Sequence, residues 1–163
     1  MWGISRPTPN KGTQMIGFTG TREGLTPLQM ENLRKVLKSL IQHGLTELHH
    51  GDCVGADKAV DTLAQELGLK RVIHPPDSIT LRAFCQGEVV LPPKPYLQRN
   101  QDIVRARRIL VACPKELTEQ QRSGTWSTVR FARKVGVRTL LLFPDGTVRE
   151  YRGEIFARNP IHR

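Results

Sequence analysis

Three short apolar runs in this chain each lead into a glycine-bearing turn and then into residues with helical spacing. The turns are Gly17-Phe18-Thr19-Gly20-Thr21-Arg22, Gly51-Asp52-Cys53-Val54-Gly55-Ala56-Asp57 and Arg122-Ser123-Gly124-Thr125-Trp126. A strand that turns tightly into a helix leaves the first backbone N–H groups of that helix without acceptors. If the runs are parallel strands of one sheet, three such sets of donors meet at a single sheet edge, which suits a phosphate.

The rest of the chain fits that frame. Residues 15–19 read as a first strand. Thr26-Pro27 then supplies an N-cap and a proline at the first helical position. Leu28, Met30, Leu33, Val36, Leu37, Leu40 and Ile41 recur at helical spacing, and Gly44 is a C-terminal stop. Residues 47–50 form a second strand, Ala56 to Leu67 an amphipathic helix ended by Gly68, and 71–74 a third strand. Between Pro75 and Pro95 the periodicity weakens, and Pro92-Pro93-Lys94-Pro95 forbids a helix, so a long loop is expected with one short helix near 81–86. A helix over 96–107, a strand over 108–113, a helix over 125–135 stopped by Gly136 and a strand over 137–143 follow. Pro144-Asp145-Gly146 turns the chain into an added strand or hairpin arm at 147–151. Residues 1–14 read as a mobile tail and 15–163 as one domain. Alternating strand and helix predicts an α/β fold: a doubly wound, Rossmann-like three-layer sandwich around a mainly parallel central sheet.

Lys+Arg 25 against Asp+Glu 15 leaves a net charge of +10, which favours phosphorylated or polyanionic partners. No signal peptide and no membrane-length apolar run is evident, so no membrane partner is expected and the protein is expected in the cytoplasm. Cys53, Cys85 and Cys113 are odd in number and contain no C-x-x-C pair, which points to reduced thiols. His49, His50 and Cys53 lie close in sequence, but adjacent strand residues face opposite ways and the spacing fits no familiar zinc pattern. Neither a metal nor a cofactor is expected.

Each turn carries candidate ligand-binding residues. In the first, Gly20 admits a ligand close to the backbone, Thr19 and Thr21 offer hydroxyls, and Arg22 offers a guanidinium fork. In the second, Gly51, Gly55 and Ala56 flank Asp52 and Asp57. Either aspartate could cap the helix, and either could accept the hydroxyls of a ribose or act in catalysis. In the third, Arg122, Ser123, Gly124 and Thr125 combine a cation, hydroxyls and free N–H groups, while Trp126 either stacks on a base or fills core. Arg99 and Asn100, at the entry to the 96–107 helix, are positioned to meet a base or phosphate.

Taken in order, these residues resemble the SLOG superfamily, the Rossmann-like group that includes DNA processing protein A, the LOG cytokinin-activating phosphoribohydrolases and YpsA-type proteins. That family's G-x-R, G-[IA]-D, Tyr-Pro-x-x-Asn-like and R-S-G-[ST]-[LW]-x-T-[AI] segments are matched by Gly20-Thr21-Arg22, Gly51 to Asp57, Tyr96 to Asn100 and Arg122 to Thr128. The resemblance covers 15–146. LOG-type hydrolases carry a catalytic glutamate in a G-G-x-G-T-x-x-E turn, whereas here Trp126, Ser127, Thr128, Val129 and Arg130 follow Thr125 without a carboxylate. Relatives like DNA processing protein A bring further domains and bind single-stranded DNA, whereas only the core domain is read here.

The resemblance implies binding of a nucleotide or nucleotide derivative: phosphate at the first and third turns, sugar at Asp52 or Asp57, and base near Arg99, Asn100 or Trp126. N-glycosidic hydrolysis using Asp52 or Asp57 is the alternative enzyme reading. Single-stranded DNA binding is the alternative nucleic-acid reading, although an aromatic content of 6% offers few stacking platforms. SLOG relatives commonly pair through helices, which makes a homodimer the expected assembly.

Overall fold

Strand and helix alternate from β1 (Met15–Gly20) through α1 (Pro27–Gln42), β2 (Glu47–His50), α2 (Ala56–Leu67), β3 (Lys70–Ile73) and β4 (Val89–Val90). The second half runs α3 (Tyr96–Val104), β5 (Ile109–Cys113), α4 (Gly124–Val135), β6 (Arg138–Leu142) and β7 (Val148–Tyr151). The computed structural model describes residues 14–105 and 107–152. All but the last residue of the expected tail lie outside these, as does the 153–163 portion of the expected domain.

The strands form one sheet in the order β4-β3-β2-β1-β5-β6-β7, parallel throughout except for β7, which returns antiparallel to β6. Side chains alternate across β5. Ile109, Val111 and Cys113 join a core with Leu33, Leu37 and Leu40 of α1 and Val60 and Leu63 of α2. Leu110 and Ala112 join one with Val104 of α3 and Trp126, Val129 and Ala132 of α4. Two helices therefore cover each face, giving the expected Rossmann-like three-layer α/β sandwich. Each fully buried leucine in these layers contributes roughly 1.5–3 kcal/mol of apolar transfer energy.

The strand order reverses between β1 and β5, whose carboxyl ends are in register at Gly20 and Cys113. A crevice opens at such a reversal, because successive crossovers leave it in opposite directions. α1 is anchored beside it. Thr26 and Gln29 form a reciprocal capping box, and the buried Gln29 amide also donates to the carbonyls of Pro114 and Leu142 at 2.8 and 2.9 Å.

The segment 75–95 departs from the expected loop with a helix at 81–86. It contains a 3-10 turn at Ile79–Leu81 and then β4, which extends the sheet edge. The physical cause lies upstream, in Asp52. Its carboxylate accepts from Arg82 Nε at 3.0 Å and from the Cys85 N–H at 2.8 Å, while its carbonyl accepts from the Ala83 N–H at 2.7 Å. Backbone donors that a helix would need are thus committed elsewhere. α3 ends at Val104, short of the expected 107, because the Arg107 guanidinium folds back onto the carbonyls of Ile103 and Asp102, each at 3.0 Å.

Candidate functional site

A cleft of ≈ 190 Å³ occupies the crevice where β1 and β5 diverge. Of the residues expected to bind ligand, Thr19, Gly20, Thr21, Arg22, Gly51, Asp57, Arg99, Asn100, Arg122, Ser123, Gly124 and Thr125 line it. Asp52, Gly55, Ala56 and Trp126 do not.

The first two turns are tied to one another and to β5. The Thr21 N–H donates to Cys113 O at 3.1 Å, and the Ala56 N–H donates to Thr21 O at 2.9 Å. Ala56 is therefore scaffold: its methyl lies so close to Gly20 that a Cβ added there would fall 2.5 Å away. Asp52, fully buried with φ 59°, spends its carboxylate on the 75–95 segment, not on the cleft.

Asp57 behaves differently. It is 6% exposed in the first turn of α2; Oδ2 accepts from the Cys53 N–H at 3.1 Å, and Oδ1 has no hydrogen-bond partner. Burial pushes its carboxyl above the ordinary aspartate range, outweighing the nearby His50 and Arg99. A buried polar atom without a match is costly, and at a cleft wall it suits a ligand group that would supply the match. Asp57→Asn should raise stability at neutral pH by about 1–3 kcal/mol, seen as a higher urea midpoint. Because the native pKa is raised, that gain fades as pH falls through it toward the unfolded value. A midpoint unchanged or lowered at neutral pH would mean the carboxylate is already compensated.

The third turn presents the strongest donor set. Ser123 Oγ caps α4 by accepting from the Trp126 N–H at 3.1 Å, and the Ser127 N–H takes the Ser123 carbonyl at 2.8 Å. The N–H groups of Gly124 and Thr125, first and second in the helix, have no acceptor within it and lie at the cleft. Arg22 and Arg122 flank them, and neither makes a hydrogen bond or ion pair among the described residues. Two guanidinium groups beside a helix N-terminus make a concentrated anion-binding surface.

Arg99 is buried at 3% exposure and structurally committed. It donates to the Gly51 and His74 carbonyls and to Asn100 Oδ1, and approaches Cys53 Sγ at 3.9 Å. Its charge reaches the cleft, but its hydrogen bonds lock β2, β3 and α3 together. Trp126 belongs to the core, 3% exposed, packed on Phe143 and donating from Nε1 to Glu116 at 3.0 Å. It offers no stacking face to the cleft.

Several cleft residues escaped the sequence reading. Lys115 and Glu23 pair at 2.7 Å across the mouth, both about half exposed or more, a contact of little energetic weight. Tyr96, one residue after the proline run, stands over Gly124 so closely that a Cβ there would meet its hydroxyl at 1.8 Å. It opens the Tyr96-to-Asn100 segment of the resemblance, a signal that assigned its ring no role.

The histidines and cysteines do not form the cluster considered from sequence. His49 Nδ1 meets His74 Nε2 at 2.8 Å and Arg107 at 3.0 Å, whereas His50 turns to Asp61 at 2.9 Å. His50, Asp61 and Cys85 do bring potential ligand atoms within 4.8 Å of one another. However, His50 Nδ1 accepts from the Asp52 N–H, Asp61 also holds Arg71, and burial pushes the Cys85 thiol up to about 12. The His50 and Asp61 atoms are already used in joining α2 to the sheet. All three cysteines are free and buried.

Compared with known proteins, the chain matches no family model, no curated protein and no solved structure. No helix among the described residues is long and apolar enough to cross a membrane.

Proposed function

We propose that this chain is a SLOG-type domain that binds a nucleotide or nucleotide derivative, with a phosphate on the N-terminus of α4 and the sugar toward Asp57. The observation that carries the reading is the convergence on one cleft of the Gly124 and Thr125 N–H groups with Arg22 and Arg122, which have no hydrogen-bond or ion-pair partner among the described residues. A phosphate supplies acceptors for all four at once. Asp57, which lines the same cleft, gains a partner for its Oδ1 from a ribose hydroxyl. Three buried free thiols suit a reducing compartment, and the cytoplasm is the proposed location.

Calorimetric titration with nucleoside mono- and diphosphates, cyclic nucleotides and ADP-ribose should reveal one site per chain. Arg122→Ala should weaken the best ligand about 10- to 100-fold, the worth of a charge-assisted hydrogen bond of roughly 1.5–3 kcal/mol. Failure of every nucleotide to bind, or binding indifferent to Arg122→Ala, would remove the reading.

The unmatched Asp57 also favours a second reading, in which the bound nucleotide loses its base by N-glycosidic cleavage. Burial raises the proton affinity of the Asp57 carboxyl, which suits a general acid, and no carboxylate occupies the LOG-type position after Thr125 to do so. Release of free base from a bound monophosphate, abolished by Asp57→Asn, is its test; binding without release leaves the domain a binder.

A further inference from the structure

Of the three positions first expected to meet a base, Arg99 and Trp126 are committed to the scaffold, and Asn100 lines the cleft with its Oδ1 accepting from Arg99. A second chamber, of ≈ 510 Å³, adjoins the cleft, and Arg22, Tyr96, Arg122, Ser123 and Gly124 line both. Its character differs from that of the first. Pro76, Leu81, Leu97 and Tyr96 give it an apolar lining, while Asp77, Ser78, Gln121 and Ser127 supply polar groups. Leu97 is 57% exposed, a large apolar side chain that no described neighbour covers well.

The chamber walls are held by backbone bonds. Pro76 bridges Lys94, the Asp77 N–H donates to Lys94 O at 3.1 Å, and Leu81 O accepts from Val54 at 3.1 Å. Tyr96 divides the two spaces. Its hydroxyl abuts Gly124, and its ring carries the Arg99 guanidinium 5.2 Å from the centroid. An anion seated on the α4 N-terminus therefore has Arg22 and Arg122 beside it and an apolar space with hydrogen-bonding groups immediately beyond.

We infer that this second chamber is the base subsite: the ligand's heteroaromatic base packs on Tyr96, Leu81 and Leu97 while its phosphate stays on α4. The inference rests on the nucleotide reading above and adds where the base goes and what discriminates it. Aromatic and aliphatic faces suit the plane of a base, and Asp77, Ser78, Gln121 and Ser127 suit its edge. An alkyl chain would leave those polar groups unused.

The test compares the four ribonucleoside 5′-monophosphates with ribose 5-phosphate by calorimetry on the full chain. At least one monophosphate should bind tenfold or more tightly than ribose 5-phosphate. Leu97→Asp, at an exposed position that the fold tolerates, should weaken that monophosphate about tenfold and leave ribose 5-phosphate within twofold. Nuclear Overhauser contacts should run from the base protons to the Leu81 and Leu97 methyl groups. Equal affinities of monophosphates and sugar phosphate, an indifferent Leu97→Asp, or base contacts to Phe18 and Ile103 instead would overturn the subsite while leaving the phosphate reading intact. If neither ribose 5-phosphate nor any monophosphate binds, both fall.

Discussion

Gly55→Ala is expected to destabilise the fold by roughly 3–5 kcal/mol, a loss large enough to populate unfolded chain in a domain of ordinary stability. Gly55 caps α2 at φ 91° and ψ −125°, a backbone conformation that L side chains rarely adopt. An added Cβ would also fall 2.3 Å from the Arg22 carbonyl oxygen, a backbone atom that cannot swing aside. Relief would require parting the first two turns, and with them the bond from the Ala56 N–H to Thr21 O. Gly44→Ala is the control, since Gly44 has φ 93° but nothing within 4 Å of its added Cβ. That variant should lose only the left-handed backbone penalty of roughly 1–2 kcal/mol. Urea unfolding of both distinguishes the terms; equal midpoints would deny the close approach of the turns.

Acid should destabilise the protein from just below neutral pH. Burial, followed by the charge of Arg107, holds His49 down to about 4, and burial followed by His49 and Arg107 holds His74 down to about 3. Glu47, accepting from His49 at 2.9 Å, His50 on the same strand and the Arg99 guanidinium also face this pair. Both native pKa values lie below the unfolded value of about 6.5, so the unfolded chain takes up protons first as pH falls. Stability present above that pH is therefore lost below it. Between pH 7 and pH 5 the loss is on the order of 3–4 kcal/mol for the two residues together. Asp57 works in the opposite direction, but its benefit appears only below its own raised pKa. His74→Gln should flatten the slope by about half. A midpoint constant from pH 7 to pH 5 would show that these imidazoles are solvated.

Local signals made most of the frame readable before any coordinates. The Thr26-Pro27 start of α1, the Gly68 and Gly136 stops and the continuous apolar run of β5 each act within a few residues, and each element lies where expected. Misjudged features depend on partners distant in sequence. The 75–95 segment takes its shape from Asp52, some thirty residues earlier, so its own weak periodicity had nothing to reveal. Asp52 and Asp57 looked equivalent in the second turn, and only the path of that segment determines which one keeps a free oxygen. Trp126 takes the core alternative left open for it, held by Glu116 and Phe143, while Arg99, with the right chemistry for a ligand, is claimed by Gly51 and His74. Tyr96 opened one of the matched motif segments, but a wall between two spaces has no periodicity that could reveal it.

The central claim is that the N-terminus of α4, with Arg22 and Arg122, grips a phosphate. A diffraction map of the protein crystallised with its tightest-binding nucleotide tests this most directly. Phosphate density is expected within hydrogen-bonding distance of the Gly124 and Thr125 N–H groups, with both guanidinium groups turned onto it. A nucleotide bound with its phosphate elsewhere, and that helix end contacting only solvent, would contradict it.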